Sequence, residues 1–285
     1  MSKTISEWLD ESVAELSGAN INTAHLDAEI ILSFAIGKNR TYLHAHSDRV
    51  LTTKNIKNAD NYLARRLQHE PLAYIIGYKE FFGRRFKVTS DTLVPRPESE
   101  DIIESLERIL LTTDHHQPQF KLLDVGAGSG CLGITAKLEF PFLDVTLIDI
   151  SENALLIARQ NANQLGSDVR FLKSDLLQNY TDKPDIVVAN LPYVNPSWER
   201  SPETEFEPHL SLFSDENGMM IIKKLIAQST GLLGGGGYLI IEADPVQHSS
   251  LIEYAKTYNF KIAFLNNYTI GFKKLRNAST NTIEK

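Results

Sequence analysis

From Lys121 onward, short apolar runs rich in β-branched residues alternate with longer amphipathic stretches, and this alternation restricts the possible folds more than any other feature. Lys121 to Val125, Val145 to Asp149, Val169 to Leu172, Asp185 to Ala189 and Tyr238 to Ala243 read as strands. Cys131 to Glu139, Asn153 to Leu165 and Met219 to Leu233 read as helices. Such short, nearly continuous apolar runs suit parallel strands covered on both faces. Two late stretches, Lys261 to Leu265 and Tyr268 to Lys274, read as an antiparallel pair closing the sheet. The expected architecture is therefore a doubly wound α/β domain, in which ligands collect beyond the carboxyl ends of the strands.

Several of those strand ends carry residues suited to a nucleotide-like ligand. Asp124-Val125-Gly126-Ala127-Gly128-Ser129-Gly130 leaves the first strand and enters a helix. Its glycines allow tight turning and close approach of a ligand, while the helix start offers unpaired N–H groups. Cys131 follows where a dinucleotide fingerprint would place its third glycine, which disfavours a nicotinamide cofactor. Asp149 ends the second strand and can accept from both hydroxyls of a ribose, as in nucleotide and S-adenosylmethionine sites. Asp175 and Leu176 follow the third strand, where a carboxylate can accept from an adenine amino group and a leucine can cover the ring. A lone Asp at a strand end is more often a turn residue or cap. Three acids and a glycine loop on successive strands form a joint pattern that this bland reading does not explain.

The fourth strand runs into Asn190-Leu191-Pro192-Tyr193. An amide or aromatic amino nitrogen is a poor nucleophile, because its lone pair is delocalised into the neighbouring π-system. Two acceptors on its N–H groups would aim that lone pair at a methyl donor and stabilise the developing positive charge. Asn190 Oδ1 and the Leu191 carbonyl fit that task, Pro192 restricts the geometry of Leu191, and Tyr193 can cover a planar group. The four residues are the candidate catalytic set, and Asn190 also belongs to the cofactor set.

Ahead of the α/β region, residues 1–70 carry helical periodicity, with Ile5, Trp8, Leu9, Val13 and Leu16 at three- and four-residue spacings. Ser6 and Asn22-Thr23 are plausible caps, Gly18 and Gly37 end the first two helices, and Asn61 to His69 reads as another. Residues 71–95 read as a linker after the helix-breaking Pro71, with a hairpin around Gly83. Pro97 suits the first turn of a helix. The expected division is a helical domain 1–70, a hairpin linker 71–95, a catalytic domain 96–276 and a polar tail 277–285.

A formal net charge of −7 makes a surface devoted to nucleic-acid backbone unexpected. The N-terminus lacks the basic start and apolar core of a secretory signal, and no apolar run approaches the ~20 residues needed to cross a bilayer. One cysteine, Cys131, excludes an internal disulfide and reads as a small buried residue. The pairs His44/His46 and His115/His116 lack metal-ligand company and read as surface residues; no metal is expected. A cytoplasmic monomer, with neither membrane nor nucleic acid as a direct partner, is the expectation.

Several of these motifs together resemble the N5-glutamine methyltransferases of peptide chain release factors, the HemK/PrmC family. The likeness runs through Pro71 to Gly77, Phe81-Phe82-Gly83, Leu93-Val94-Pro95-Arg96-Pro97-Glu98-Ser99-Glu100, the glycine loop, Asp149 and Asn190 to Tyr193. It extends to Phe206-Glu207-Pro208 and Asp215 to Gly218. The resemblance implies a Rossmann-like S-adenosylmethionine-dependent methyltransferase domain preceded by a small helical domain. It implies S-adenosylmethionine held by Gly126 to Gly130, Asp149, Leu176 and Asn190, and a release-factor glutamine from a Gly-Gly-Gln loop at Asn190 to Tyr193. The helical domain and hairpin would help dock the release factor.

Two positions depart from the family pattern. Leu191 stands where the family usually has proline, and Asp244 replaces glycine in a Glu-x-Gly-x-x-Gln motif whose Glu242 and Gln247 are kept. Asn-Leu-Pro-Tyr is also the form found in ribosomal RNA adenine dimethyltransferases. Methylation of a ribosomal-protein glutamine and adenine-N6 methylation of RNA therefore stand as alternatives, as does a binding module without activity.

Overall fold

The computed structural model describes residues 3–112 and 120–276, which fall into two compact units. One unit runs up to Tyr78 and also takes in Ser201–Phe206; the other comprises Lys79–Arg200 and the chain from Glu207 onward. His115, His116 and the polar tail lie outside the described residues.

The first unit is built from α1 (Ile5–Gly18), α2 (Ala24–Ile36), α3 (Arg40–Ala45), α4 (Thr53–Arg66) and α5 (Leu72–Ile76). Thr4, rather than Ser6, starts α1 through a reciprocal capping box with Glu7. The apolar periodicity of α1 is spent on a core in which Ile5, Trp8, Leu16, Ile31, Leu32 and Leu43 are fully buried. Helix α4 begins at Thr53, not near Asn61, because Thr52 caps it while its first turns carry few apolar residues to betray it. Helix α4 ends at Arg66, ahead of Pro71, which instead stands at the start of the short α5; that helix stops at Gly77 in a left-handed conformation. Inside this unit Arg66 is 3% exposed, and its Nε donates to Asp27 Oδ2 at 2.6 Å.

The second unit opens with a hairpin of β1 (Tyr78–Phe81) and β2 (Arg84–Lys87). Its two turn residues, Phe82 and Gly83, both have positive φ, as a tight hairpin turn of matching twist requires. After α6 (Glu100–Thr112) the strands and helices alternate as the periodicity predicts: β3 (Phe120–Val125), α7 (Cys131–Glu139), β4 (Leu143–Asp149), α8 (Glu152–Leu165), β5 (Arg170–Lys173) and β6 (Ile186–Ala189). Then follow the short α9 (His209–Leu212), α10 (Met220–Leu232), β7 (Tyr238–Glu242), α11 (His248–Thr257), β8 (Phe260–Asn266) and β9 (Thr269–Lys274). Sequence periodicity did not single out α11, whose apolar residues are thinly spread.

The sheet order is β5-β4-β3-β6-β7-β9-β8, parallel except for β9, which runs antiparallel to both neighbours. This is a Rossmann-like arrangement, with one buried apolar layer on each face of the sheet. From β3 the chain moves outward through β4 to β5, then returns to pair β6 on the other side of β3. The gap between the carboxyl ends of β3 and β6 is thus the topological switch point, where such sheets bind ligands. The glycine loop leaves one of these two strands and Asn190 leaves the other.

Candidate active site

At that switch point lies a cavity of about 560 Å³, within the usual range for small-molecule and cofactor sites. Its wall includes Gly126, Ala127, Gly128 and Ser129 from the glycine loop, Asp149, Asp175 and Leu176 from the ends of β4 and β5, and Asn190, Leu191 and Pro192 from the end of β6.

The loop keeps its shape through backbone that only glycine adopts without strain: φ is +76° at Gly126, +54° at Gly128 and +80° at Gly130. Gly126 N and Ala127 N donate to the Ile148 carbonyl, and buried Asn161 on α8 donates from Nδ2 to the Ser129 carbonyl at 2.8 Å. The same Asn161 accepts from Lys87 N on β2, so one amide ties the loop to the hairpin.

Asp149 Oδ2 accepts from Gly128 N and Oδ1 from Ser151 N, both at 2.8 Å. Burial pushes its carboxyl above the usual range, opposed by those backbone N–H groups. Its carboxylate, bonded also by the Ile150 backbone, lies on the cavity wall where a ligand hydroxyl could reach it. Leu176 holds a left-handed φ of +50°, a conformation uncommon outside glycine and worth noting at a ligand wall. Asp175 Oδ2 accepts from Lys224 Nζ at 2.6 Å and from Gln178 Nε2 at 3.0 Å.

Three of the expected site residues stand off the wall. Asp124 is 1% exposed: its Oδ2 accepts from Gly133 N at 2.8 Å and its Oδ1 has no partner. Desolvation raises its carboxyl to about 7, so the partnerless oxygen carries a proton below that pH. Asp124 thereby braces the first turn of α7 and makes no approach to the cavity. Gly130 faces the packing between α7, α8 and β4, where an added Cβ would meet Ile134 at 2.7 Å and Leu147 at 2.9 Å. Tyr193 packs against the core and donates its hydroxyl to Glu242 Oε1 at 3.0 Å, so its ring does not cover the cavity as the sequence led us to expect. Burial, reinforced by Glu242, pushes that hydroxyl well above the usual phenol range.

Residues that sequence reasoning did not assign complete the arrangement. Ser99 lies on the wall, and its Oγ accepts from Asn190 Nδ2 at 2.8 Å while donating to Glu242 Oε2 at 2.6 Å. Glu207, 6% exposed, accepts from Val94 N at 3.0 Å and pairs with Arg96, which fixes the Val94-Pro95-Arg96-Pro97 segment leading to Ser99. Gln247 Nε2 donates to the Tyr193 carbonyl at 2.8 Å and to the Asn217 carbonyl at 2.7 Å. Asp244, where a glycine was expected, has an ordinary extended φ of −64° and caps the next turn by accepting from Val246 N. No glycine is needed there, and the departure leaves Gln247 in place. Cys131 also lines the cavity, but burial raises its thiol to about 12, which leaves no thiolate at neutral pH. Among the described residues no His, Cys, Asp and Glu cluster could hold a metal ion, and no helix is long and apolar enough to cross a membrane.

Comparison with known proteins places both units. Residues 7–77 match the family described as PrmC N-terminal domain, and residues 99–203 match the methyltransferase small domain. A release factor glutamine methyltransferase of Koribacter versatilis is 37% identical over 91% of this chain and 93% of its own length. One from Francisella tularensis is 32% identical over 90% of each chain. Among solved structures, a methyltransferase from Pyrococcus furiosus is 18% identical and superposes with a TM-score of 0.51 over 76% of this chain and 99% of its own. The 16S rRNA N2 G1207 methyltransferase of Thermus thermophilus, in complex with AdoMet and guanosine, gives a TM-score of 0.51 at 18% identity over 70% of this chain and 50% of its own. These last two likenesses concern the fold.

Proposed function

The chain belongs to the release factor glutamine methyltransferase family, and from that premise we propose that it transfers a methyl group from S-adenosylmethionine to the side-chain amide nitrogen of the glutamine in a release factor's Gly-Gly-Gln loop. The observation that carries this reading is the placement of Asn190 and Leu191. Both lie on the cavity wall just beyond Ala189, the last paired residue of β6, beside a glycine loop in left-handed backbone.

The residues present fit S-adenosylmethionine. The loop at Gly126 to Ser129 offers a backbone cradle with no side chain larger than serine, Asp149 stands on the wall where a ribose could meet it, and Asp175 with Leu176 borders the same cavity. S-adenosylmethionine supplies a methyl group already activated on a sulfonium. Two acceptors, the side-chain Oδ1 of Asn190 and the backbone carbonyl of Leu191, would take the two N–H groups of the glutamine carboxamide. Bonded this way, the nitrogen is held in line with the incoming methyl, and the charge that develops on it is stabilised by preorganised dipoles. Pro192 keeps Leu191 extended and so directs its carbonyl. As the N–C bond formed, the S–C bond would break and the sulfonium would leave as a neutral thioether; the alkylated nitrogen, now acidic, would lose one proton to solvent, so a strong base is not required. Leu191 in place of proline preserves the acceptor, which belongs to the backbone.

Incubation of the protein with methyl-labelled S-adenosylmethionine and a purified release factor tests the reading. Label should appear on the Gly-Gly-Gln glutamine and disappear when that glutamine is replaced. Label in RNA from a lysate, with none in the release factor, would replace it with nucleic-acid methylation.

A further inference from the structure

An asparagine amide is nearly symmetric in shape, so the cavity could meet its oxygen or its NH2 group, and these two faces select opposite substrates. Two buried side chains, Glu242 and Ser99, together with the half-buried Tyr193, decide between them. Glu242 ends β7, beside Asn190 at the end of β6, since Ala189 pairs with Ile241. Ser99 enters from the turn before α6. Glu242 and Ser99 are each 1% exposed.

Burial raises the Glu242 carboxyl above its usual range, while the two hydroxyls that bond it, from Ser99 and Tyr193, favour its charged form, which can only accept. Glu242 Oε1 takes the Tyr193 hydroxyl and Oε2 takes the single proton of Ser99, at 3.0 and 2.6 Å. With both oxygens engaged, the carboxylate cannot turn. Ser99 Oγ then has only lone pairs left for Asn190, 2.8 Å away, and what faces it must be the NH2 group. The direction of donation thus runs one way, from Asn190 through Ser99 to Glu242, and leaves Asn190 Oδ1 for the cavity.

We propose that Ser99 and Glu242 are positioning residues that lock the amide direction of Asn190, so that the site admits a glutamine carboxamide and refuses the carboxylate of glutamate. The inference rests on the reading of the cavity as a glutamine site. A carboxamide brings two N–H donors to Asn190 Oδ1 and the Leu191 carbonyl. A glutamate carboxylate brings only lone pairs to the same two acceptors, and a site built to bond N–H groups rejects such an analogue strongly, on the order of 10⁴-fold. Glu242→Gln is the sharpest probe. Its new amide NH2 would donate to Ser99 Oγ, send the Ser99 proton to Asn190 Oδ1, and so turn the Asn190 NH2 towards the cavity.

The experiment compares the wild type with Glu242→Gln and Ser99→Ala on a release factor substrate and on the same protein with glutamate at the target position, used as an inhibitor. Relative to wild type, kcat on the glutamine substrate should fall roughly 10²-fold, the scale for one preorganised polar group. The ratio of the glutamate form's inhibition constant to the glutamine KM should fall at least about tenfold, a change that simple loss of folded protein would not produce. Independently, the Asn190 Nδ2 protons, assigned by their absence in Asn190→Ala, should exchange slowly in the wild type and fast in both variants. An unchanged ratio in both variants, or wild-type Nδ2 protons exchanging like those of an exposed asparagine, would overturn the lock. Should the wild type methylate no glutamine at all, the reading of the site fails and the selectivity with it, while proton exchange still decides whether the amide is locked.

Discussion

Gly218 and the Tyr193 carbonyl are packed so closely that a Cβ at position 218 would fall 1.9 Å from that oxygen. Gly218 also has a φ of +84°, and Gln247 Nε2, which bonds the same carbonyl, would lie 2.5 Å from that Cβ. The loop before α10 thus holds the backbone at the end of the Asn-Leu-Pro-Tyr segment. Gly218→Ala should cost at least ~1–3 kcal/mol for the backbone conformation alone. It should lower kcat more than S-adenosylmethionine affinity, because the displaced strand end carries Asn190. Thermal melting and calorimetric titration check the two effects separately.

Asn190→Ala removes one of the two acceptors proposed for the glutamine nitrogen. Turnover should drop by roughly 10²–10³ while the fold stays intact. Steady-state kinetics with a release factor substrate measures it, and undiminished turnover would take Asn190 out of the chemistry.

Asp149 organises the loop and is placed to meet a ribose, since its oxygens already bond Gly128 N and Ser151 N. Asp149→Ala should weaken S-adenosylmethionine binding by at least tenfold, about 1.4 kcal/mol. Isothermal calorimetry reads this directly; unaltered affinity would remove Asp149 from the cofactor set.

Asp124 makes stability depend on pH. The folded protein keeps its proton up to about 7, whereas an unfolded chain releases it near 3.8, so between these values the folded state binds more protons. Stability from this group is therefore fully present below the lower value and is lost as pH rises through the higher one. Asp124→Asn keeps an oxygen for Gly133 N and cannot ionise. Its melting temperature relative to wild type should climb by several degrees between pH 5 and pH 8, on the order of a few kcal/mol of stability. A difference that does not change with pH would refute this.

Glu207 is nearly buried, and both its oxygens are used, by Val94 N and Arg96. Glu207→Ala leaves a backbone donor without its acceptor and should destabilise by about 1.5–3 kcal/mol. Because the segment it anchors ends in Ser99, kcat should fall as well. Denaturant melts and kinetics on the same preparation test both.

Much of this arrangement was legible in the sequence, for identifiable reasons. The sheet strands and α7, α8 and α10 bury apolar faces, so their periodicity survives in the residue order. The glycine loop and Asp149 could be found because close backbone approach and carboxylate acceptance demand particular residue types at a strand end. Helices α4 and α11 were harder: α4 starts at the Thr52 cap well ahead of its buried residues, and α11 buries only His248, Leu251 and Ala255. Ser99 and Glu242 lie 143 positions apart, and only the pairing of β6 with β7 brings Glu242 beside Asn190. The direction of the Tyr193 ring could not be read, because residue type gives no sign of which way a ring turns, and here a buried carboxylate claims its hydroxyl. Asp124 looked like a ligand because it precedes the loop, yet strand alternation turns it inward.

A Cβ on Gly126 would meet Leu191 Cδ2 at 2.7 Å. The Leu191 side chain therefore fills the space above the first loop glycine. A larger residue at 126 would have to displace the Leu191 side chain and also hold a φ of +76°, so the first turn of the loop and the tetrapeptide form one packing unit. Anyone grafting a different tetrapeptide into this scaffold would have to redesign the opposite turn in the same step.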